Sequence, residues 1–390
     1  MIRQPTGYTA FFPAPLPPDP PIQFDTELLM LLSRADQAIA RLDGISSTLS
    51  NPDLFVAMYV RQEAVLSSQI EGTQSSLDDV LEFEADPKSR NVPPDVTDVV
   101  NYVRAMNYGL ERLNSLPLSL RLIREIHAEL LRGTRGADKQ PGEFRQAQNW
   151  VGPPGATLAQ ASFVPPPPRD LMQILGDFEL YLHAEGQYPI LVHTGLVHAQ
   201  FETIHPFLDG NGRVGRLLIA FLLCRHGVLR RPLLYLSSYL KLHRPEYYDR
   251  LTAIRTRGDW EGWLRFYLLG VARTAEEATR SARAINELRE QHRALLGEHR
   301  MRSNGFALLD RLFESPVLTV RLAEQQLQVT YPTANKLIHD FNSMGILDEI
   351  SGRDQNRLFR YSKYLNLFRQ DANVLDTEAE TTESAVASKG

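Results

Sequence analysis

The feature that most limits how this chain can fold is the spacing of its apolar residues. From about residue 24 to 285 they recur three and four positions apart, as in PDLFVAMYVRQEAVLSSQIEG, SLRLIREIHAELLRG, RDLMQILGDFELYLH, PILVHTGLVHAQFETI and GRLLIAFLLCRHG. That period suits a helix with one buried face and not the alternation of a strand, so the fold class is mainly α. One interval departs from it. Residues 141–168, PGEFRQAQNWVGPPGATLAQASFVPPPP, are rich in Gly and Pro with short β-leaning pieces, NWVG and ASFVP, and predict a β-hairpin flap on a helical bundle.

At 390 residues the chain is too long for one compact core and divides into roughly two or three domains. Residues 1–22 carry Pro5, Pro13, Pro15, Pro17, Pro18, Pro20 and Pro21, which deny helix and central strand and predict an extended arm. A helical region follows over 23–110, then a core over 111–285. After a charged helix near 275–298, residues 300–368 run as helix (FALLDRLFE), short helix (TVRLAEQQL), turn, longer helix (YPTANKLIHDFNSMG) and two strand-like pieces, ILDEI and RLFRY, around SGRDQN. That order predicts a C-terminal winged helix-turn-helix domain. Residues 371–390 have the composition of a disordered acidic tail.

Charge and cysteine content narrow the classes. The formal net charge is −5, of which Asp371, Asp376, Glu378, Glu380 and Glu383 against Lys389 account for −4. Bulk charge therefore predicts no polyanion partner. Cys224 is the only cysteine and sits in the apolar run LLIAFLLC, so it reads as a buried structural thiol, and no intrachain disulfide can form. The N-terminus lacks a basic stretch followed by an apolar core, and no apolar run reaches membrane-spanning length. A cytoplasmic setting without a membrane partner is the expectation.

The chemistry concentrates in Ile204-His205-Pro206-Phe207-Leu208-Asp209-Gly210-Asn211-Gly212-Arg213-Val214-Gly215-Arg216, between one apolar helix and the start of another. Gly210 and Gly212 permit tight turns and close approach of backbone N–H groups to an oxyanion. The helix beginning near Asn211 to Arg213 points its positive end at the same place. Asp209 is too few carboxylates for a calcium cage but suits a Mg²⁺ ion that completes its shell with phosphate oxygens and water. Arg213 and Arg216, three apart, can face one side and grip non-bridging phosphate oxygens. His205, with an ordinary pKa near 6.5, can accept a proton from an attacking hydroxyl.

Other readings of the same residues fail on context. GNGRVG fits G-x-G-x-x-G, but a dinucleotide site wants a preceding strand and an acid about twenty residues on, whereas residues 217–245 contain neither Asp nor Glu. No glycine is followed by lysine, so there is no Walker A loop. His193, His198 and His205 are spaced by five and seven, which does not place them on one helix face as zinc ligands, and His193 and His198 read as structural.

HPFLDGNGRVGR resembles the Fic family signature, His-x-Phe-x-(Asp/Glu)-Gly-Asn-Gly-(Lys/Arg)-x-x-Arg, at every specified position, and the likeness extends over about residues 30–285. The resemblance implies a Fic-type helical bundle that transfers AMP from ATP to a Tyr, Ser or Thr hydroxyl of a target protein. It implies His205 as general base, Asp209 as the Mg²⁺ ligand, Phe207 as the loop's anchor in the core, and Gly210, Asn211 and Gly212 as an anion hole. Arg213 would clamp phosphate, with Asn211 and Arg213 counted beside His205 in catalysis, and Arg216 would reach the γ-phosphate. Tyr248, beside Tyr247, falls where similar proteins line the adenine pocket, though plain core aromatics fit as well. The target would pair along the flap 141–168 by β-augmentation, and self-modification and a homodimer are further expectations.

The helix opening at Asn51-Pro52-Asp53 has an N-cap, a first-turn proline and a first-turn acid. It ends at Ser67-Ser68-Gln69-Ile70-Glu71-Gly72, which resembles the Fic inhibitory motif (Ser/Thr)-x-x-x-Glu-(Gly/Asn). The resemblance implies that Glu71 pairs with Arg216 and displaces the γ-phosphate. Two other activities stay open: a DNA-binding winged-helix regulator with a secondary Fic core, and a Fic enzyme that removes AMP. For DNA, Tyr331 to Asn342 would be the recognition helix, with Arg353, Arg357 and Arg360 at the wing. Asp340, Asp348, Glu349 and Asp354 are mixed among them, so the basic footprint is thin.

Overall fold

The computed structural model describes residues 2–4, 7–46, 52–87, 93–134, 136–153, 155–184, 186–352 and 356–368, with backbone alone at 52–55. The acidic tail 371–390, the Asn51 cap and the wing residues Arg353 and Asp354 lie outside the described residues.

Fourteen α-helices dominate the described residues. The first ten run α1 (Thr26–Ser46), α2 (Pro52–Ile70), α3 (Leu77–Ala85), α4 (Val96–Arg112), α5 (Leu120–Leu130), α6 (Pro168–Leu182), α7 (Ile190–Ile204), α8 (Asn211–Arg225), α9 (Ser237–Leu242) and α10 (Arg244–Arg257). Then come α11 (Trp260–Glu298), α12 (Ser303–Leu312), α13 (Val320–Leu327) and α14 (Tyr331–Ser343). Short strands are β1 (Ile2–Arg3), β2 (Thr9–Ala10), β3 (Val317–Thr319), β4 (Asp348–Glu349) and β5 (Leu358–Arg360).

The bundle is organised around α7 and α8. Every residue of α7 from Leu191 to Ile204 is buried, as is most of α8. A helix buried on all sides lies at the centre of a core. The two pack on each other, with α6, α10 and α11 against α7 and α2, α4 and α5 against α8. On the flank, α1 buries Leu28, Leu32, Ala35, Ile39 and Leu42 along α11. Ser76 and Asp79 close a capping box at the start of α3, and Ser119 caps α5, each satisfying N–H groups that the first helical turn leaves open. The core helices thus fix both ends of the short loop 205–210.

The flap differs from the hairpin that its composition predicts. Val151 and Phe163 form one isolated antiparallel bridge, and a 3₁₀ turn, Leu158–Gln160, fills the tip. Pro153 and Pro165 to Pro168 withhold the N–H groups a longer ladder would need. The proline-rich arm is packed on this flap. Its first residues pair as β1 and β2 ahead of Pro13, the Phe11 N–H donates to the Val164 carbonyl at 2.9 Å, and the Phe11 and Phe163 rings lie 6.0 Å apart.

At the C-terminal end, α12, α13 and α14 pack together beside an antiparallel sheet in the order β3-β5-β4. Strand β3, formed by Val317-Leu318-Thr319, was not legible as a strand, because its three residues continue directly into α13. The sheet lies against α3, and Phe368 packs edge-on to Tyr59 of α2 with ring centroids 5.5 Å apart. Arg360, placed at the wing by sequence, turns toward Asp78 of α3 at 4.0 Å, and Arg357 lies 3.5 Å from Glu349. Both basic groups thus face acids of this chain.

Candidate functional site

The loop between α7 and α8 begins with a forced turn. His205 ends α7 at φ 50°, in the left-handed region that a non-glycine residue adopts only when its surroundings hold it there. Those surroundings are visible. The His205 carbonyl accepts from Arg145 Nε at 2.9 Å and from Asn149 Nδ2 at 3.1 Å, and Asn149 Nδ2 also donates to the Phe207 carbonyl at 2.7 Å. Arg145 and Asn149, at the base of the flap, carried no recognisable signal in the sequence, because their partners lie some sixty residues away.

Phe207 is fully buried, with its ring stacked on His127 at 3.7 Å and 8° and against Phe144 at 5.2 Å. His127 in turn bonds the Asp209 carbonyl through Nε2 at 3.0 Å and accepts from the Gly142 N–H at 2.8 Å. Gly210 then turns at φ 76°, and α8 starts at Asn211. The Asn211 side chain accepts from the Phe207 N–H at 2.8 Å and donates to the Phe207 carbonyl at 2.9 Å. Both ends of that amide are used inside the loop, so its backbone N–H is what it can offer an anion.

The candidate residues converge at the start of α8. Arg216 donates through Nε to Ser67 Oγ at 2.7 Å, and through Nη2 to the Ser67 carbonyl at 2.9 Å and to Glu71 Oε1 at 2.7 Å. Its side chain is 2% exposed. Glu71 follows α2, where an acid faces the negative end of the helix, an unfavourable placement unless a cation or another helix's N-terminus offsets it. Here both do. Gly72, at φ 96°, turns the chain away with open space around it, a conformation suited to glycine. Burial opposes charge on Glu71, but Arg216, Arg213 and His205 outweigh it and hold the carboxyl below its ordinary range.

Gly212 explains why nothing larger stands at its position. A Cβ there would overlap Glu71 Oε1 and come within 3.0 Å of Arg216 Nη1. The Glu71 carboxylate therefore lies on the first turn of α8, in the place where helix geometry favours an anion. Around it, Arg213 is 3.6 Å from Asp209 and 4.0 Å from Asp98, and its buried Nε has no hydrogen-bond partner among the described residues.

His205 Nδ1 is likewise buried without a partner among them. Burial, with the positive charges of Arg255 and Arg145, pushes His205 down to about 4, so the imidazole is neutral at neutral pH. Asp209 Oδ1 accepts from the Gly210 N–H at 2.6 Å, and its side chain is 46% exposed. Among the described residues no cluster of three or more His, Cys, Asp or Glu could hold a metal ion by itself. Tyr248 is partly exposed and feels the charges of Glu71 and Arg216, whereas Tyr247 is core, bonded through its hydroxyl to His198 Nε2 at 2.9 Å.

His193 and His198 are both buried in α7. His198 also bonds the Gly215 carbonyl at 2.9 Å, and His193 stacks on Tyr181 at 4.8 Å. Cys224 is only partly buried. Two buried acids beneath the site escaped the sequence reading. Glu63 accepts from the Ser237 N–H at 3.1 Å and the Tyr102 hydroxyl at 3.2 Å, and Glu202 packs against Gly215; burial pushes each up to about 7.

Fold and site together define a helical protein with an anion seat at a helix N-terminus, two arginines over it and a neutral histidine beside it. Comparison with known proteins gives this class a family. The Fic/DOC family N-terminal pattern matches residues 29–111, and the Fic/DOC family pattern matches residues 117–223. The chain belongs to the Fic/DOC family. Protein adenylyltransferase Fic of Culex quinquefasciatus is 35% identical over 156 residues, covering 38% of this chain and 27% of that protein. A probable protein adenylyltransferase of Aquifex aeolicus (strain VF5) is 30% identical over 181 residues, 45% of this chain and 51% of that protein. The matches thus span from about a quarter to about half of those relatives. A crystal structure of a Fic family protein from Desulfovibrio desulfuricans G20 shares the fold at TM-score 0.56 and 18% identity, over 87% of this chain and 97% of that one. No described helix is long and apolar enough to cross a membrane.

Proposed function

We propose that this protein is a protein adenylyltransferase that moves AMP from ATP to a hydroxyl side chain of a protein, and that Glu71 holds it in a slow state. The observation that carries the reading is the seat of the Glu71 carboxylate on Gly212, paired with Arg216 at 2.7 Å. A site that already orients one carboxylate against a helix N-terminus and a buried guanidinium suits phosphate oxygens at the same points. The names of the insect and Aquifex relatives support the same chemistry.

In this reading neutral His205 takes the proton of the acceptor hydroxyl as its oxygen attacks the α-phosphorus. The bond to the bridging oxygen breaks and diphosphate leaves. N–H groups of Gly210, Asn211 and Gly212 receive phosphate oxygens, Arg213 clamps them, and Arg216 takes the γ-phosphate once Glu71 withdraws. Asp209 fits Mg²⁺ as a single exposed carboxylate beside the phosphate seat, and the ion would neutralise phosphate charge there. Tyr248 would border the adenine. The C-terminal unit, which we read as a winged helix, would select protein targets, because Arg357 and Arg360 already face acids of the chain.

Intact mass of the purified Glu71→Gly protein after incubation with ATP and Mg²⁺ tests this, with wild type and His205→Ala in parallel. Gain of AMP units by Glu71→Gly, little by wild type and none by His205→Ala is expected. Equal gain by wild type and Glu71→Gly would remove the inhibitory role, and no gain by any of them, alone or with bacterial lysate proteins as acceptors, would remove the transferase.

A further inference from the structure

Arg255, in the last turn of α10, stands between the two parts that a transfer reaction must hold in register. On one side it donates through Nη2 to the Glu202 carbonyl and through Nε to Thr203 Oγ1, each at 3.3 Å, in the final turn of the helix that ends at His205. On the other side its guanidinium carbon lies 3.7 Å from the centre of the Phe163 ring, on the flap. Phe163 is the residue bridged to Val151, and its ring also meets Phe11 of the arm.

We propose that Arg255 is a positioning residue of the transfer reaction, fastening the flap to the catalytic end of α7 and setting the electric field at His205. The inference rests on the transferase reading.

Three physical requirements meet at this one side chain. The last carbonyls of α7 have no partner within the helix, and a cation there satisfies them and matches the dipole. The aromatic face of Phe163 attracts a cation that has lost water. A planar fork can bond in its plane and stack through its face at once, which an ammonium cannot. Burial lowers Arg255 to about 10, so it stays charged at neutral pH.

The groups that bear on His205 are Arg255 from α10, Arg145 from the flap base, Glu71 after α2 and the backbone of Glu202 in α7. Of these, Arg255 is the cation with the largest effect, opposing protonation of the base. A flap that drifts and a base that takes up its proton at a higher pH would both follow from its loss.

The test uses the full-length chain in the Glu71→Gly background, with Arg255→Met, Arg255→Lys and Phe163→Leu added singly. His205 is followed by NMR of ring-labelled histidine, its signal identified by loss in His205→Ala, and AMP gain is followed by mass across pH. In the Glu71→Gly background His205 should titrate far below an ordinary histidine. Arg255→Met should raise that midpoint by about one pH unit and slow AMP gain by roughly tenfold or more. Arg255→Lys should keep the midpoint low yet still slow the gain, and Phe163→Leu should slow it without moving the midpoint.

An unmoved midpoint in Arg255→Met, or AMP gain at the full rate in both Arg255→Met and Phe163→Leu, overturns the proposal. Should Arg255→Met not fold, full rates in Arg255→Lys and Phe163→Leu overturn it instead. If the Glu71→Gly protein itself gains no AMP, the transferase reading fails, while the His205 midpoint in Arg255→Met still decides whether Arg255 sets the field there.

Discussion

The Glu71 carboxylate and Gly212 Cα are in such close contact that a methyl group on Gly212 could not coexist with the resting position of Glu71. Gly212 lies in the first turn of α8 with an ordinary helical backbone, where alanine by itself favours the helix by about 1 kcal/mol. Gly212→Ala should therefore destabilise the wild type but stabilise the Glu71→Gly protein slightly, a clear departure from additivity. Thermal melts of the four combinations measure it, and additive effects would contradict the contact. In the Glu71→Gly background the same methyl fills the phosphate seat, so AMP gain should fall about a hundredfold, a cost of about 2.7 kcal/mol.

Ser67 holds Arg216 at two points, and its hydroxyl accepts from Nε at 2.7 Å. Ser67→Ala removes a hydrogen bond to a charged group, worth about 1.5–3 kcal/mol, from the resting arrangement only. With Glu71 intact, AMP gain should rise by roughly tenfold and remain well below that of Glu71→Gly. A rate equal to wild type, read by mass at several times, would show that the hydroxyl does not hold the resting state.

How much of this was legible in the sequence depended on distance along the chain. His205, Asp209, Gly210, Asn211, Gly212, Arg213 and Arg216 lie within one loop and the first two turns of one helix, so their residue types and spacing already describe an anion seat. Ser67 and Glu71, some 145 residues before Arg216, entered through a short pattern that resembles a family motif, because nothing local fixes where the end of α2 lands. Arg145, Asn149, His127 and Arg255 act through partners on other elements and look like ordinary surface or helix residues until the chain is folded. The flap shows the limit of composition. Its β-leaning residues are present, but prolines leave room for one bridge, and the neighbouring edge is covered by the arm.

Phe207 anchors the loop from below, fully buried between His127 and Phe144. Phe207→Ala should cost about 3–5 kcal/mol through lost burial and the cavity left behind, lowering the melting temperature by roughly 4–6 °C for a chain of this size. Activity should fall with it, since the turn at His205 loses its footing. His205→Ala should lose activity with little change in melting. If the two variants melt alike, the anchoring role of Phe207 is wrong.

The buried titratable groups give stability a definite pH dependence. His127, His193, His198 and His205 are each pushed down to about 4, in every case chiefly by burial. Between pH 6.5 and 4 the unfolded chain binds protons at these four sites and the native chain does not, so stability is lost as pH falls through that window. Glu63 and Glu202, pushed up to about 7 by burial, act in the opposite sense between their ordinary value and 7, because the native state holds their protons. The histidines outnumber the acids, so acidification from pH 6.5 to 5 should destabilise the fold by on the order of 1–3 kcal/mol per pH unit. As pH rises above 6.5 the last histidine protons leave the unfolded chain while the acids begin to lose theirs in the native state, and the two balance near pH 7, which places the maximum at about pH 7. Urea unfolding at half-unit intervals from pH 5 to 8 measures the curve. Stability that is flat or rises toward pH 5 would mean that these histidines are protonated in the native state, and His205 could then not serve as a ready base at neutral pH.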